Sequence, residues 1–466
     1  MRAEQVRIAV LEIYEQVRRE GARADQAMQR VIRREKQLRS VERRAVADAV
    51  YGLLRLQGKV DHLLGRALRT RGLSLEKLAT PTQHLLRYAA YLIVGDEQSA
   101  QSAAGLAGPE VAPYLWTLEL VKAPPPEANS AAPADLHSAL AAETSLPRWL
   151  AALWEQQLGA AETLRLADAL NQRAPLTIRA NLLKGTLEAL EEKLANEGAK
   201  TARTDWSPVA LSFTSRTNVF ALKAFKAGLF EVQDEGSQLI AEACGVKPGQ
   251  LVVDACAGAG GKTLALASMM ENKGRLVACD RDGRRLVELK TRARRAGAHN
   301  WEARAVPEGP AGEARLKDLE RKAEVVLIDA PCSGLGALRR NPDARWRLDL
   351  GEVDGFPPRQ REILERYSAL VRPGGLLVYA TCSINRHENE DVRAAFLAAH
   401  AEFVPVPTAE LLGAERCARL RAATVPAGGT PESGWPALGA REHDVQLAPQ
   451  RHATDGFYIA GMRRKG

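Results

Sequence analysis

Two cysteines lie in sequence contexts that favour covalent chemistry over simple packing. Cys332 lies in the run D-A-P-C-S-G and Cys382 in the run T-C-S, and each run closes a predicted strand. A cysteine that only fills a core is expected in the middle of a strand, whereas these two stand at the carboxyl ends. In the usual order of a doubly wound sheet the two strands are neighbours, about 4.8 Å apart. The sequence therefore predicts two thiols side by side, and a thiolate is a strong nucleophile.

A glycine-rich turn precedes both cysteines. Residues 251–263 read L-V-V-D-A-C-A-G-A-G-G-K-T, which is typical of a strand, a glycine loop and the start of a helix. Such a turn lets a ligand approach bare backbone at a helix N-terminus, although an ordinary tight turn has the same appearance. Asp280 ends the next predicted strand, where an acid binds the ribose hydroxyls of a nucleoside. A P-loop is not favoured, because its first glycine would fall at Cys256.

Composition limits the class of protein. The 466 residues carry a net charge of +8, which permits a polyanionic partner without proving one. No apolar run reaches the roughly 18 residues of a membrane span, and the N-terminus lacks the apolar block of a signal peptide. No C-x-x-C pair occurs among the six cysteines, so we expect no structural metal site. We expect a cytoplasmic, monomeric protein with no membrane contact.

Three regions differ in pattern. Residues 1–140 have the periodicity of amphipathic helices, residues 141–235 mix helix and strand, and residues 236–466 alternate strands with helices. The fold class predicted is α/β, with a Rossmann-like domain preceded by a small α+β module and an all-α helical domain. Residues 122–135, rich in proline and alanine, are predicted to form a linker, and residues 425–442 a mobile insertion.

Several longer motifs together resemble the Sun-family RNA cytosine-5 methyltransferases. They include D-A-C-A-G-A-G-G-K-T, D-A-P-C-S-G-x-G, Y-A-T-C-S-x-x-x-x-E-N and R-R-N-P-D-x-R-W, and they extend from residue 230 to residue 460. Residues 38–56 resemble the NusB-like RNA-binding helical domain of the bacterial ribosomal RNA members. The resemblance implies a Rossmann-like domain that uses S-adenosylmethionine, a small RNA-binding module and a NusB-like RNA-binding domain.

The resemblance also implies roles for the chemical residues. It assigns Cys382 as the nucleophile that adds to carbon 6 of cytosine, and Cys332 as the group that resolves the adduct, as or with the base. DNA cytosine methyltransferases place the nucleophile in the proline-cysteine motif instead, so the opposite assignment stays open. Asp329 would hold the cytosine edge and the cofactor, and Lys262 would help orient both. Activation of the thiol needs a positive or hydrogen-bonding neighbour, because a free thiol has a pKa near about 8.5.

The same resemblance implies the cofactor contacts, which lie in the glycine loop and at three strand ends. They are Cys256, Ala257, Gly258, Ala259, Gly260, Gly261, Lys262, Asp280, Glu308 and Asp329. The chain departs from the family at Ala259, where a proline is usual, and at Glu308, where the family has an aspartate. It also lacks the last helix of the NusB-like domain, and residues 122–135 stand in that region.

RNA is the partner that the resemblance implies, and small-subunit ribosomal RNA is the expected substrate. Of the arginines near the predicted crevice, Arg339, Arg340 and Arg345 are the favoured phosphate contacts. Two alternatives remain: the same chemistry on transfer RNA, and a non-catalytic RNA-binding or assembly factor with a vestigial methyltransferase domain. The second is disfavoured because a decayed site would tolerate the loss of Cys332 and Cys382.

Overall fold

The computed structural model describes residues 2–122, 136–423 and 438–466. Its contacts divide the chain into two units, residues 1–173 with 338–350, and residues 174–337 with 351–466. Most of the predicted linker at 122–135 and of the predicted insertion at 425–442 lies outside the described residues. In the part of the chain that is described, no helix is long and apolar enough to cross a membrane.

The first unit is helical, as the periodicity predicts. Helix Ala3–Arg19 buries Val6, Ile13 and Val17 along one face, because residues three or four apart share a side of a helix. Helix Ser40–Arg69 buries its apolar face against the same core. The α-helices of this unit are Ala3–Arg19, Ala24–Arg34, Ser40–Arg69, Thr80–Val94, Ala100–Ala107, Leu115–Lys122, Leu136–Thr144, Arg148–Leu158, Ala160–Asn171 and Ala344–Arg347.

A short segment that follows Cys332 in the sequence is part of this helical unit. Residues 338–350 lie among its helices, and the indole of Trp346 donates a hydrogen bond to the Leu54 carbonyl at 2.6 Å. Arg345 has no exposed surface. Its guanidinium donates to the carbonyls of Arg55 and Ser145, both at 3.2 Å. The prediction that Arg345 contacts phosphate is therefore wrong, because its guanidinium is buried and donates its hydrogen bonds inside the protein.

The described residues of the second unit form two sheets. The smaller sheet is antiparallel and consists of four strands in the order β2-β3-β1-β4. Its strands are β1 (Thr177–Ala180), β2 (Thr201–Arg203), β3 (Ala210–Phe213) and β4 (Phe230–Val232). Helix Leu187–Asn196 packs its buried leucines on this sheet. Arg179 of β1 is buried and donates to Gln233 at 2.9 Å.

The larger sheet has nine strands, and its described order is β11-β12-β13-β9-β8-β5-β6-β7, with β10 pairing β13. The strands β5 to β9 pair parallel with one another, β13 pairs antiparallel with β9, and β10 to β13 pair antiparallel. The bounds are β5 (Leu251–Asp254), β6 (Arg275–Asp280), β7 (Trp301–Ala305), β8 (Ala323–Asp329), β9 (Val371–Thr381), β10 (Phe403–Pro405), β11 (Gly439–Ala440), β12 (Asp444–Gln446) and β13 (Tyr458–Arg464).

Helices connect the parallel strands and cover the sheet, which confirms the predicted α/β class. The central strands read as apolar runs because both faces of a parallel sheet are buried. The α-helices of this unit are Leu187–Asn196, Lys223–Lys226, Glu235–Ala243, Gly261–Met269, Gly283–Ala296, Pro310–Ala314, Phe356–Ser368, Glu390–Ala399, Thr408–Leu412, Ala414–Ala422 and Pro449–His452, and helix Leu350–Asp354 begins at the boundary between the units.

The division at residue 173 assigns the helices Arg148–Leu158 and Ala160–Asn171 to the helical unit. The three predicted domains, 1–140, 141–235 and 236–466, stay a prediction. For the site, the important feature is the parallel order β9-β8-β5-β6-β7, because the carboxyl ends of those strands lie at one edge.

We predict that Arg345→Ala lowers the free energy of unfolding by roughly 3 kcal/mol, because several buried carbonyls lose their donor. Urea denaturation followed by circular dichroism measures the change. Arg44→Ala, at an exposed position of helix Ser40–Arg69, is the control and should stay within about 0.5 kcal/mol of the wild type. Equal stability of the two variants would contradict a structural role for Arg345.

Candidate active site

The loop after β5 takes a shape that needs glycine. Gly258 and Gly260 have φ angles of 53° and 87°, in the left-handed region. A Cβ atom at Gly260 would also lie 2.1 Å from the side chain of Leu289, so the loop packs directly on helix Gly283–Ala296. At Gly258 a Cβ atom would meet nothing within 4 Å. The loop therefore faces open space at Gly258 and is packed at Gly260.

Asp280 holds this loop in place. Its carboxylate accepts hydrogen bonds from the backbone N–H of Gly258 at 2.9 Å and of Asp282 at 2.8 Å. The side chain is almost completely buried at the end of β6. The acid that the sequence identified therefore lies directly beside the glycine loop, as the order β5-β6 requires.

Ala259, which replaces the proline usual in the family, is restrained from outside the loop. Arg292 donates to the Ala259 carbonyl at 2.9 Å. The same arginine pairs with the buried carboxylate of Glu231 at 2.9 Å, and Arg295 pairs with it too. Because Arg292, which is itself paired with Glu231 of β4, holds this carbonyl, the loop is supported although it lacks the proline.

The remaining predicted cofactor residues differ in their surroundings. The Cys256 thiol is half-buried, and burial, followed by nearby carboxylates, raises its pKa well above the usual value. The Glu308 side chain is 77% exposed and pairs with Arg281 at 2.6 Å. Glu308 follows β7, which pairs with β6, the strand that ends at Asp280. Val306, two residues before Glu308, donates its N–H to the Asp280 carbonyl. The cofactor contacts of both residues stay predictions.

Lys262 and Asp329 form an ion pair at the centre of the site. The Lys262 ammonium lies 2.6 Å from the Asp329 carboxylate, and both side chains are mostly buried. Burial lowers the pKa of Lys262, but the charges of Asp329, Cys382 and Asp254 offset this effect, so the pKa stays above its ordinary value. Lys262 is therefore a fixed positive charge between the glycine loop and the cysteines.

Asp254 anchors the helix that carries Lys262. The Thr263 hydroxyl donates to its carboxylate at 2.7 Å. Burial, with Asp329 adding, raises the pKa of Asp254 to about 6, although the Thr263 hydroxyl opposes the shift. This hydrogen bond ties the first turn of helix Gly261–Met269 to the end of β5 and so positions the ammonium of Lys262.

The two cysteines meet as the strand order requires. The sulfur atoms of Cys332 and Cys382 are 3.2 Å apart, at hydrogen-bond distance, and both side chains are half-buried. The hydrogen bond to Cys382, followed by burial, raises the pKa of Cys332 well above that of a free thiol. The two sulfur atoms therefore share a hydrogen bond in which either thiol can be the donor.

Three polar residues beside the cysteines were not among the predicted site residues. Glu388 accepts hydrogen bonds from Ser333 and Ser383, Asn389 from Thr381, and Gln360 donates to Glu388. The pair Glu388-Asn389 was visible as the E-N that ends one of the family motifs. Gln360 lies inside a helix without a distinguishing pattern, and only the fold brings it to the site.

Of the predicted residues, the structure brings Lys262, Asp329, Cys332 and Cys382 together, and brings Gly258 to Asp280. Among the predicted phosphate contacts, Arg345 and Arg339 are buried in the helical unit, and Arg340 is half-buried.

Known proteins are similar to this chain in sequence. The family model described as 16S rRNA methyltransferase RsmB/F matches residues 242–463, and a ferredoxin-like domain model of the same family matches residues 146–220. A protein of Synechocystis sp., described as a probable ribosomal RNA small subunit methyltransferase B, is 32% identical over 70% of this chain and 68% of its own length. The chain belongs to the RsmB/F methyltransferase family.

Solved structures agree with this family. The crystal structure of PH0851 superposes with a TM-score of 0.75 at 26% identity, covering 100% of this chain and 99% of the other. The crystal structure of a methyltransferase homolog protein from Pyrococcus horikoshii superposes with a TM-score of 0.56 at 26% identity, covering 70% of this chain and 98% of the other. The RsmB/F domain is therefore a Rossmann-like methyltransferase fold, as the strand pattern predicted.

The cofactor of an RsmB/F methyltransferase is S-adenosylmethionine, and the loop of this chain fits it. A side chain at Gly258 would project into open space, beside the carboxylate that binds the Gly258 N–H. Backbone N–H groups at the start of helix Gly261–Met269 and the acid at the end of β6 form the usual setting for a nucleoside.

Proposed function

We propose that this RsmB/F methyltransferase transfers a methyl group to carbon 5 of a cytosine in RNA through a covalent cysteine–cytosine adduct. The supporting observation is the 3.2 Å separation of the Cys332 and Cys382 sulfur atoms beside the Lys262–Asp329 ion pair. Bound S-adenosylmethionine supplies the methyl group as an electrophile. Methylation at carbon 5 needs a nucleophile to make that carbon electron-rich and a base to remove its proton afterwards.

Cys382 is the proposed nucleophile. Its thiolate adds to carbon 6 of the cytosine, which places electron density on carbon 5. Two features of the site favour a negative charge on this sulfur: the Cys332 thiol, 3.2 Å away, would donate a hydrogen bond to the Cys382 thiolate, and the Lys262 ammonium interacts electrostatically with it. Asp329, held by Lys262, is the proposed hydrogen-bond acceptor for the cytosine edge.

Cys332 is the proposed group for the last step. After methylation the carbon 5 proton must leave, and its electron pair then expels the Cys382 thiolate from carbon 6. In this proposal the Cys332 thiol loses its own proton to water before this step, and the resulting thiolate accepts the carbon 5 proton; its raised pKa makes it a strong base. Cys332 lies close enough to Cys382 to act on the same adduct, as or with the base.

Small-subunit ribosomal RNA is the proposed substrate, because the Synechocystis relative is described as acting on it. The net charge of +8 suits a polyanion. The target base has to leave its stack to reach a half-buried thiol, which favours loops or partly unfolded RNA. The helical unit and the small sheet are proposed to bind RNA. The protein is proposed to be a monomer located in the cytoplasm.

Transfer RNA remains the second candidate substrate, because the proposed contacts are to the reacting cytosine, which both RNA classes contain. A non-catalytic assembly factor is disfavoured by the preserved geometry of Lys262, Asp329 and the two cysteines.

Asp280→Ala should weaken S-adenosylmethionine binding at least about tenfold, since the glycine loop and the ribose lose one acceptor. Isothermal titration calorimetry with the cofactor alone gives the dissociation constant. Glu271→Ala, which removes an exposed carboxylate, is the control. A dissociation constant within twofold of the wild type for Asp280→Ala would rule out the ribose role.

Cys382→Ala should lower methyl transfer at least about 10³-fold, because no thiolate remains to attack carbon 6. The assay follows radiolabelled methyl groups from S-adenosylmethionine into small-subunit ribosomal RNA, with transfer RNA in parallel. Cys417→Ala, a buried cysteine outside the site, controls for the loss of a thiol. Retained turnover in Cys382→Ala would reject the proposed nucleophile, and labelling of transfer RNA alone would reject the proposed substrate.

Cys332→Ala should accumulate a covalent protein–RNA adduct, since attack and methylation proceed while release is blocked. Denaturing gel electrophoresis detects the adduct as a band that survives heating in detergent. If the band forms with Cys382→Ala and not with Cys332→Ala, the two roles are reversed.

A further inference from the structure

One buried carboxylate connects the two cysteine loops. Glu388 has no exposed surface and lies in the short helical turn Arg386–Glu388 that follows β9. It accepts hydrogen bonds from the backbone N–H of Ser333 at 2.8 Å and from the Ser383 hydroxyl at 2.7 Å, and the Ser333 hydroxyl donates to it as well. Ser333 directly follows Cys332 and Ser383 directly follows Cys382, so one side chain holds the neighbours of both thiols.

Additional contacts tie the two loops to each other. The hydroxyls of Ser333 and Ser383 are 3.2 Å apart, and Gly336 donates its N–H to the Cys382 carbonyl at 3.0 Å. Two loops from neighbouring strands are thus linked through groups adjacent to the cysteines.

The residues around Glu388 complete the brace. Gln360 donates to Glu388 at 3.1 Å and also to the carbonyl of Pro331, which precedes Cys332. Asn389 accepts from the Thr381 hydroxyl at 2.6 Å and donates to the Ser383 carbonyl at 3.0 Å, so it contacts both neighbours of Cys382. Each cysteine is therefore restrained on both sides.

A carboxylate suits this position better than an amide. A buried charge is costly unless several donors compensate it, and here serine hydroxyls, a backbone N–H and the Gln360 amide all donate to Glu388. Glutamine at residue 388 has a single acceptor oxygen, and its NH₂ group would face one of these donors. The isosteric substitution therefore breaks the brace while it keeps the shape of the side chain.

We propose that Glu388 is a positioning residue that sets the distance between the Cys332 and Cys382 sulfur atoms through Ser333 and Ser383. Its effect on methyl transfer rests on the proposed function, in which both thiols act on one cytosine. Its effect on the sulfur distance does not depend on any substrate.

The sulfur distance is tested by disulfide formation. Diamide accepts two electrons and two protons from a pair of thiols, which become a disulfide while diamide becomes the hydrazine. The full-length protein is treated with diamide, and the Cys332–Cys382 peptide pair is quantified by mass spectrometry over time. We expect Glu388→Gln to form this disulfide at least about tenfold more slowly, because the loops separate.

Glu390→Gln is the matched control. Glu390 lies two residues further along and pairs with Arg441, away from the serines. This variant should oxidise at the wild-type rate. Equal rates for Glu388→Gln and the wild type would overturn the positioning role.

Methyl transfer supplies the second readout. Glu388→Gln should lower kcat about 10²-fold with KM for S-adenosylmethionine changed less than about threefold, because misplaced groups slow the chemistry and leave cofactor binding intact. Slow oxidation with a wild-type kcat would overturn the catalytic part of the proposal. If the wild-type enzyme does not methylate cytosine, the proposed function fails, and the oxidation rates still decide the sulfur distance.

If Glu388→Gln does not fold, the variants Ser333→Ala and Ser383→Ala test the proposal in its place. Each variant removes one hydroxyl and keeps the carboxylate, and thermal unfolding checks that it is folded. We expect each to slow disulfide formation by about threefold and the double variant by more, in line with the loss of single hydrogen bonds. Wild-type rates in the folded double variant would overturn the proposal.

Discussion

The site depends on the parallel pairing of β8 with β9. This pairing aligns Asp329 with Ala380, so the chain leaves both strands at the same edge of the sheet. Cys332 and Cys382 come within 3.2 Å because each follows its strand by only a few residues. The neighbouring strand β5 ends at the same edge and leads through the glycine loop to the helix that carries Lys262. The proposed nucleophile, the proposed base and the glycine loop thus lie at one edge of the sheet.

Buried charges hold the loops that the sheet alone cannot fix. Glu388 gathers donors from both cysteine loops, and Glu231 holds the arginine that restrains the glycine loop. Arg345 has the corresponding role in the helical unit, where backbone carbonyls accept its hydrogen bonds. In each case one charged side chain satisfies several groups from segments distant in sequence. Such sites are sensitive to substitution because a lost partner leaves the others buried without compensation.

The departures of this chain from its family have local explanations. Ala259 lacks the rigidity of proline, but its carbonyl is held by Arg292. Glu308 is exposed and paired with Arg281, so its longer side chain is accommodated at the surface. Residues 338–350 continue directly from the Cys332 loop into the core of the helical unit.

The sequence by itself determined the parallel strands, the glycine loop with Asp280, and the two cysteines at strand ends. These features depend on local periodicity, on positive φ angles that glycine permits, and on the strand order of one sheet. Only the tertiary structure decided which charged side chains are buried and which groups they bind. An arginine or glutamate reads as a surface residue in a sequence, and only the packing of distant segments places Arg345, Glu388 and Gln360 in the interior. The sequence therefore predicted which groups are the candidates for the chemistry, whereas the fold decided what holds the two sulfur atoms at 3.2 Å.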